Sequence, residues 1–175
     1  EVKCIRRDQM MNSLFIMKTS KELRTNKQRA KKNFVDLSGS RTPEQFEVLK
    51  DIHQRGVCPF CLENLKEYHK KPILISGKYW LATKNQWPYK NTKHHFIFIH
   101  KTHIESINDL NPAGAQELFK IATQLNKKFK IKSGGLCMRF GHLGKNGATV
   151  RHLHAHLISA KNNLKDDEHV RFKVG

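Results

Sequence analysis

Between Ile73 and Ser159 short apolar runs alternate with turn-forming segments, and the spacing of those runs predicts mixed helix and strand. Ile73-Leu-Ile-Ser76, Lys78-Tyr-Trp-Leu-Ala-Thr83 and His95-Phe-Ile-Phe-Ile-His100 are β-branched or aromatic stretches, separated by Gly77 and by the turn-prone Asn85-Gln-Trp-Pro-Tyr-Lys-Asn91. They read as three successive strands. Asn108-Asp-Leu-Asn-Pro112 then opens a helix in which Ala115, Leu118, Phe119, Ala122, Leu125 and Phe129 recur at steps of three and four, to about Lys132. Ser133-Gly-Gly135 breaks it, and two further strands, Leu136–Gly141 and Val150–Ser159, flank a polar, Gly-containing loop over residues 142–149. Upstream, Thr42-Pro43-Glu44 is a helix start, with Thr as N-cap and Pro in the first turn; Phe46, Leu49 and Ile52 follow at helical spacing until Gly56 stops the helix. The expectation is an α+β domain: a mostly antiparallel sheet of about five strands, one long amphipathic helix and a short N-terminal helix.

Length changes little in this picture, because 175 residues suit one ordinary domain. The expected division is a basic N-terminal extension and linker over residues 1–40, then a folded unit over 41–175. The extension is rich in Lys and Arg and ends in the turn-rich Asp36-Leu-Ser-Gly-Ser-Arg-Thr-Pro43; a basic helix around Ser20–Lys32 and a solvated arm are both open readings. No apolar run approaches the roughly 20 residues of a membrane span, and no signal-peptide-like stretch opens the chain, so no membrane partner and a cytoplasmic location are expected.

Charge matters more. Thirty-three Lys and Arg against fifteen Asp and Glu leave a net charge of +18, a field that attracts phosphates over roughly 8 Å at physiological salt. Nucleotides and nucleic acid are the natural partners, although charge alone chooses no chemistry.

The candidate chemistry lies in Val150-Arg-His-Leu-His-Ala-His-Leu-Ile158. In a strand successive side chains point to opposite faces, so His152, His154 and His156 share one face while Leu153, Ala155 and Leu157 fill the other. A polar strand face usually carries Thr, Lys and Glu, and a His₃ zinc centre is a second alternative. Neutral imidazole is a nucleophile and imidazolium stabilises developing negative charge, which suits phosphoryl and nucleotidyl transfer. Just upstream, Gly144-Lys-Asn-Gly-Ala-Thr149 offers backbone N–H groups at Gly147, the Asn146 amide and the Thr149 hydroxyl as phosphate donors. The aromatic residues Tyr79, Trp80, Trp87 and Tyr89, near Asn85, are candidates for a base-stacking shelf or for core. The remaining histidines, His94 and His95 included, read as surface or core polar residues.

His152-Leu-His-Ala-His-Leu-Ile158 resembles the signature of the histidine triad (HIT) superfamily, His-φ-His-φ-His-φ-φ with φ apolar, at every position. Asn85-Gln-Trp-Pro88 and His95-Phe-Ile-Phe-Ile-His-Lys-Thr-His-Ile104 extend the resemblance, which covers about residues 55–160. It implies a HIT-like fold and a nucleotide-binding catalytic domain. His154 would be the nucleophile that takes the nucleoside monophosphate, His156 would contact the phosphate and leaving group, and Gly147 and Thr149 would contact phosphate. Asn85 stands at the ribose-contacting position, where the family commonly has Asp, and Ala148 stands where it often has Gln. A zinc-bearing branch of the family pairs a Cys-x-x-Cys knuckle with two histidines; the matching residues here are Cys58, Cys61, His103 and His152, a closed Cys₂His₂ site of the structural kind. From the residues alone, a redox pair and a metal-free knuckle stay open for Cys58 and Cys61. Retention of His156, where the related transferases resemble His-x-His-x-Gln, favours hydrolysis. The resemblance thus implies a nucleotide hydrolase acting on the α-phosphate of a dinucleoside polyphosphate, a nucleoside phosphoramidate or an adenylylated end, and a homodimer joined through Pro112–Lys132. The alternative is a non-catalytic, zinc-containing nucleotide or nucleic-acid binding module.

Overall fold

The computed structural model describes residues 32–174; of the basic extension and linker expected over residues 1–40, residues 1–31 lie outside the described residues. Helix α1 (Pro43–Arg55) starts as its capping residues dictate: Thr42 Oγ1 accepts the Gln45 N–H at 3.1 Å, and Pro43 occupies the first turn. It ends at Gly56, whose φ of 64° and N–H bond to Ile52 O close the last turn. Directly after the Cys58–Cys61 knuckle comes helix α2 (Leu62–Tyr68), which sequence periodicity does not announce. Seven residues are too few to show a period, and the helix is held by tertiary burial of Leu65 and Tyr68.

Five strands follow: β1 (Ile73–Ser76), β2 (Trp80–Lys84), β3 (Thr92–His100), β4 (Gly135–Arg139) and β5 (His154–Ala160). They form one antiparallel sheet in the order β1-β2-β3-β5-β4, with α3 (Pro112–Lys128) inserted between β3 and β4. The Asn111 side chain caps α3 by accepting the Gly114 N–H at 2.7 Å. The helix stops short of Lys132 because Lys130 turns left-handed, at φ 49°.

One strand differs from expectation in a way that matters for the site. The last strand begins at His154, not Val150. The backbone just before it is claimed by other partners: Val150 bridges Val35, Arg151 N–H bonds Phe34 O at 2.8 Å, and Leu153 N–H bonds Ile104 O at 2.7 Å. His152 therefore lies outside the ladder, and strict alternation of the three histidines holds only for His154 and His156.

The sheet is buried on both sides. On one, Leu118, Ile121, Ala122 and Leu125 of α3 pack against Trp80, Ala82, Phe96, Phe98, Ala155 and Leu157. On the other, Leu81, Ile97 and Ile99 meet Leu65 and Phe60, beside a cluster of Val35, Leu49, Ile52, Tyr68 and Val150. Since Ala155 and Leu157 of β5 face α3, the intervening His154 and His156 face α1 and the knuckle. Among the described residues no helix is long and apolar enough to cross a membrane.

Candidate active site

Pairing of β5 between β3 and β4 sets His156 opposite Ile97 and Cys137, and His154 opposite Ile99 and Arg139. Both imidazoles line a cleft walled by Val48, Leu49 and Ile52 of α1, by Phe60 and by Tyr68, so the site is apolar on the side away from the histidines. Asn85, Gly147 and Thr149 line the same cleft. Five of the residues singled out from sequence thus meet in one place.

His154 Nδ1 lies 2.6 Å from His152 O. A carbonyl only accepts, so Nδ1 carries the proton and Nε2 the lone pair. Burial pushes this imidazole down to about 4, which keeps it neutral at physiological pH. Phe60 and His156 stand edge-on to the ring at centroid distances of 5.2 and 5.1 Å and restrict its tilt.

A second tautomer follows by the same logic. The Tyr89 N–H donates to His95 Nδ1 at 3.1 Å, so the His95 proton sits on Nε2, which lies 3.0 Å from His156 Nδ1. That N–H donates to His156, leaving the His156 proton on Nε2, a buried donor with no partner among the described residues. Burial lowers His95 to about 3, helped by Arg41 and Arg139, and lowers His156 well below its ordinary value, with His154 and His95 adding to the effect. Asn85 flanks this chain and is held by its Oδ1, which accepts the Trp87 N–H at 2.9 Å.

The other predicted residues divide. Asn146 is absent from the cleft wall; its Nδ2 donates to Phe140 O and its Oδ1 accepts the Ala148 N–H, so it braces the loop from within. Gly147 has a φ of 70°, and a Cβ there would meet Lys173 O at 2.7 Å, so backbone conformation and the returning C-terminal segment both demand glycine. The aromatic shelf splits in two. Trp80 is fully buried in the core with its Nε1–H bonded to Gly114 O, Tyr79 packs against that core, and Trp87 and Tyr89 alone line the cleft.

His152 turns to the knuckle. Its Nδ1 is 3.3 Å from Cys58 Sγ and 3.9 Å from Cys61 Sγ, while His103 Nδ1 is 3.3 Å from Cys61 Sγ. All four ligand atoms lie within 4.8 Å of one another, the spread of a tetrahedral Cys₂His₂ shell. Each imidazole offers Nδ1 because its Nε2 is occupied elsewhere, on His100 O at 2.6 Å for His152 and on Glu105 Oε1 at 3.1 Å for His103. Burial raises the Cys58 thiol to about 12, so only a bound cation would hold it as thiolate. The donor set fits zinc.

Sequence reasoning missed four residues at this site: His95, Arg41, Arg139 and Phe172. Arg41 and Arg139 line the cleft, and the Phe172 ring stands 5.6 Å from that of His156. Strand alternation puts His95 on the face of Ile97, yet its contact with His156 depends on the β3–β5 register, which sequence does not disclose.

An open antiparallel sheet that presents paired histidines to a cleft, with a Cys₂His₂ cluster at the strand's foot, defines an α+β protein with a histidine-lined site. The match is specific: the model of the HIT domain aligns with residues 69–163, and the chain belongs to the HIT domain family. Solved structures share the fold. A histidine triad nucleotide-binding protein from Candida albicans is 18% identical with a TM-score of 0.51, covering 67% of this chain and 86% of that one. A Zn-bound histidine triad family protein from Mycobacterium smegmatis is 17% identical with a TM-score of 0.50, covering 67% and 82%. A HIT family hydrolase from Clostridium thermocellum is 25% identical with a TM-score of 0.49, covering 63% and 96%. No curated protein matches the chain.

Proposed function

We propose that the chain is a nucleotide hydrolase that cleaves at the α-phosphate of a nucleotide conjugate through a nucleotidyl-histidine at His154. The observation that carries this reading is the pair of tautomers. His154 Nε2 has a lone pair in the cleft, and beside it His156 Nε2–H is a buried donor awaiting an acceptor. His154 Nε2 attacks phosphorus, the bond to the leaving group breaks, and the leaving group departs with the bonding electrons. The His156 N–H and the backbone N–H of Gly147 stabilise the phosphoryl oxygens. Water then attacks the same phosphorus, the N–P bond breaks and the nucleoside monophosphate is released. The apolar wall of Val48, Leu49, Ile52 and Phe60 takes the base.

Cys58, Cys61, His103 and His152 would hold zinc, whose chemistry there is structural: a cross-link between the knuckle and the backbone whose carbonyl fixes the His154 tautomer. The name of the M. smegmatis relative, a Zn-bound protein, agrees with this assignment. The catalytic unit is assigned to residues 41–175 and the extension to residues 1–40, where the basic charge is a candidate nucleic-acid contact. A homodimer is the further proposal: β4 is an edge strand, and Leu136, Met138, Leu118 and Phe119, the last 64% exposed, form an apolar face across β4 and α3. Sedimentation should show a dimer that Phe119→Asp dissociates; a monomeric parent would reject it.

The mechanism is tested by intact-protein mass spectrometry after brief mixing with adenosine phosphoramidate and, separately, diadenosine triphosphate. A transient adenylyl adduct on the parent and none on His154→Asn is expected. Product formed equally by the variant would remove His154 as nucleophile, and no adduct or product from either compound would leave a binding module.

A further inference from the structure

Arg139 is the most anomalous charge among the described residues. It is 6% exposed, on β4 beside His154, and every acceptor it reaches is neutral: its Nε donates to Lys173 O at 2.6 Å and its Nη1 to Tyr89 Oη at 2.9 Å. Arg41, exposed at the rim, likewise bonds a carbonyl, Trp87 O at 2.7 Å. Among the described residues neither guanidinium makes an ion pair with a carboxylate. Both stand over the Tyr89 ring, Arg41 at 4.8 Å and Arg139 at 5.9 Å from its centroid, and that ring lies 5.9 Å from His156. Arg41 and Tyr89 also line a second groove, together with Lys90, His169, Arg171, Asp167 and Glu168.

A buried guanidinium with only neutral partners has lost its water without gaining an opposite charge, a desolvation cost that an anionic ligand removes. Two guanidinium groups, one buried and one at the rim, converging on one aromatic ring suit the oxygens of a phosphate, which arginine grips through paired N–H donors. We infer that Arg41 and Arg139 form a second anion subsite next to His156, and that it holds a phosphate of the leaving group. The inference rests on the reading that the α-phosphate sits at His154 and His156. It names the substrate class as a nucleotide whose scissile α-phosphate is joined to a further phosphate, and it disfavours phosphoramidates and other conjugates whose leaving group carries no anion there. Structural duty, with Arg139 only pinning the C-terminal segment through Lys173 O, is the rival account.

Two measurements separate these accounts. In the turnover assay, Arg41→Ala and Arg139→Gln should each lower kcat/KM for diadenosine triphosphate at least tenfold more than for adenosine phosphoramidate. An equal fall for both substrates would overturn the subsite. Arg41 is exposed, so its variant is expected to fold even if Arg139→Gln does not. In calorimetric titrations of the full chain carrying His154→Asn, ADP should bind at least tenfold more tightly than AMP, and adding Arg41→Ala should collapse that ratio. Equal affinities, or a ratio the second substitution leaves intact, would overturn the subsite. Should the parent form no adduct yet prefer ADP to AMP through Arg41, the hydrolase reading falls and the anion subsite stands.

Discussion

The C-terminal segment touches the site at a point where its energetic worth can be isolated. Gly147 and Gly144 both have left-handed backbones, at φ 70° and 81°, in the same loop. A Cβ at Gly144 meets nothing within 4 Å, whereas one at Gly147 meets Lys173 O at 2.7 Å and Lys173 C at 3.2 Å. Gly144→Ala therefore costs only the left-handed penalty, about 1 kcal/mol. Gly147→Ala costs the same and must also displace backbone. The cheapest escape is to lift residues 172–174, forfeiting the bond from Arg139 to Lys173 O and the stacking of the Arg139 guanidinium on Phe172, 3.5 Å from its centroid. A hydrogen bond to a charged group and a cation–π contact together contribute about 2–3 kcal/mol. For a chain of this size each kcal/mol shifts Tm by about 2–4 °C, so thermal melts should fall roughly 2–4 °C for Gly144→Ala and roughly 6–16 °C for Gly147→Ala. Trimming residues 172–175 should erase most of the difference between the two variants. Equal shifts in the full-length chain, or a difference that survives trimming, would refute the contact as the cause.

Two further outcomes follow from the same chemistry. Elemental analysis should find about one zinc per chain, lost in Cys61→Ser along with at least several °C of Tm, because metal binding at such a shell is coupled to folding; a parent free of metal and indifferent to a strong chelator would dismiss the assignment. Burial holds His95 at about 3 in the fold against an ordinary 6.5, so as pH falls the unfolded chain takes this proton first. Its contribution to stability is complete above about 6.5 and drains at about 1.4 kcal/mol per pH unit as pH drops towards about 3. Urea melts from pH 6.5 to 4.5 should be shallower in pH for His95→Gln by about that slope, and parallel profiles would contradict it.

Much of the fold was legible because each strand and helix carries its own local signal. Pro43 and Asn111 start helices through backbone chemistry that tertiary context did not override, and Trp80 to Lys84 alternates with its partners as a central strand must. Helix α2 was not legible, since its seven residues draw their helicity from burial of Leu65 and Tyr68 under the knuckle. The site residues found from sequence were those whose meaning is local: a triad at period two, a knuckle at x-x spacing, a glycine before it. Arg41 and Arg139 were invisible because they act as a pair across 98 positions of chain, and a lone Arg on either segment reads as solvated charge.

The most informative miss is the boundary between His152 and His154. Sequence alternation assigns all three histidines one face, which would make them equivalent. The structure makes them unequal by ending the β5 ladder between them, and it does so through Phe34 O and Ile104 O, acceptors far away in sequence. The consequence is a division of labour that alternation alone does not contain. Freed from the ladder, His152 turns its ring towards Cys58 and presents its own carbonyl to His154 Nδ1. One residue thereby joins the metal-fit cluster to the tautomer of its neighbour. A perturbation at Cys58 or Cys61 should therefore reach His154 through one backbone carbonyl, even though no cysteine of the knuckle lines the cleft.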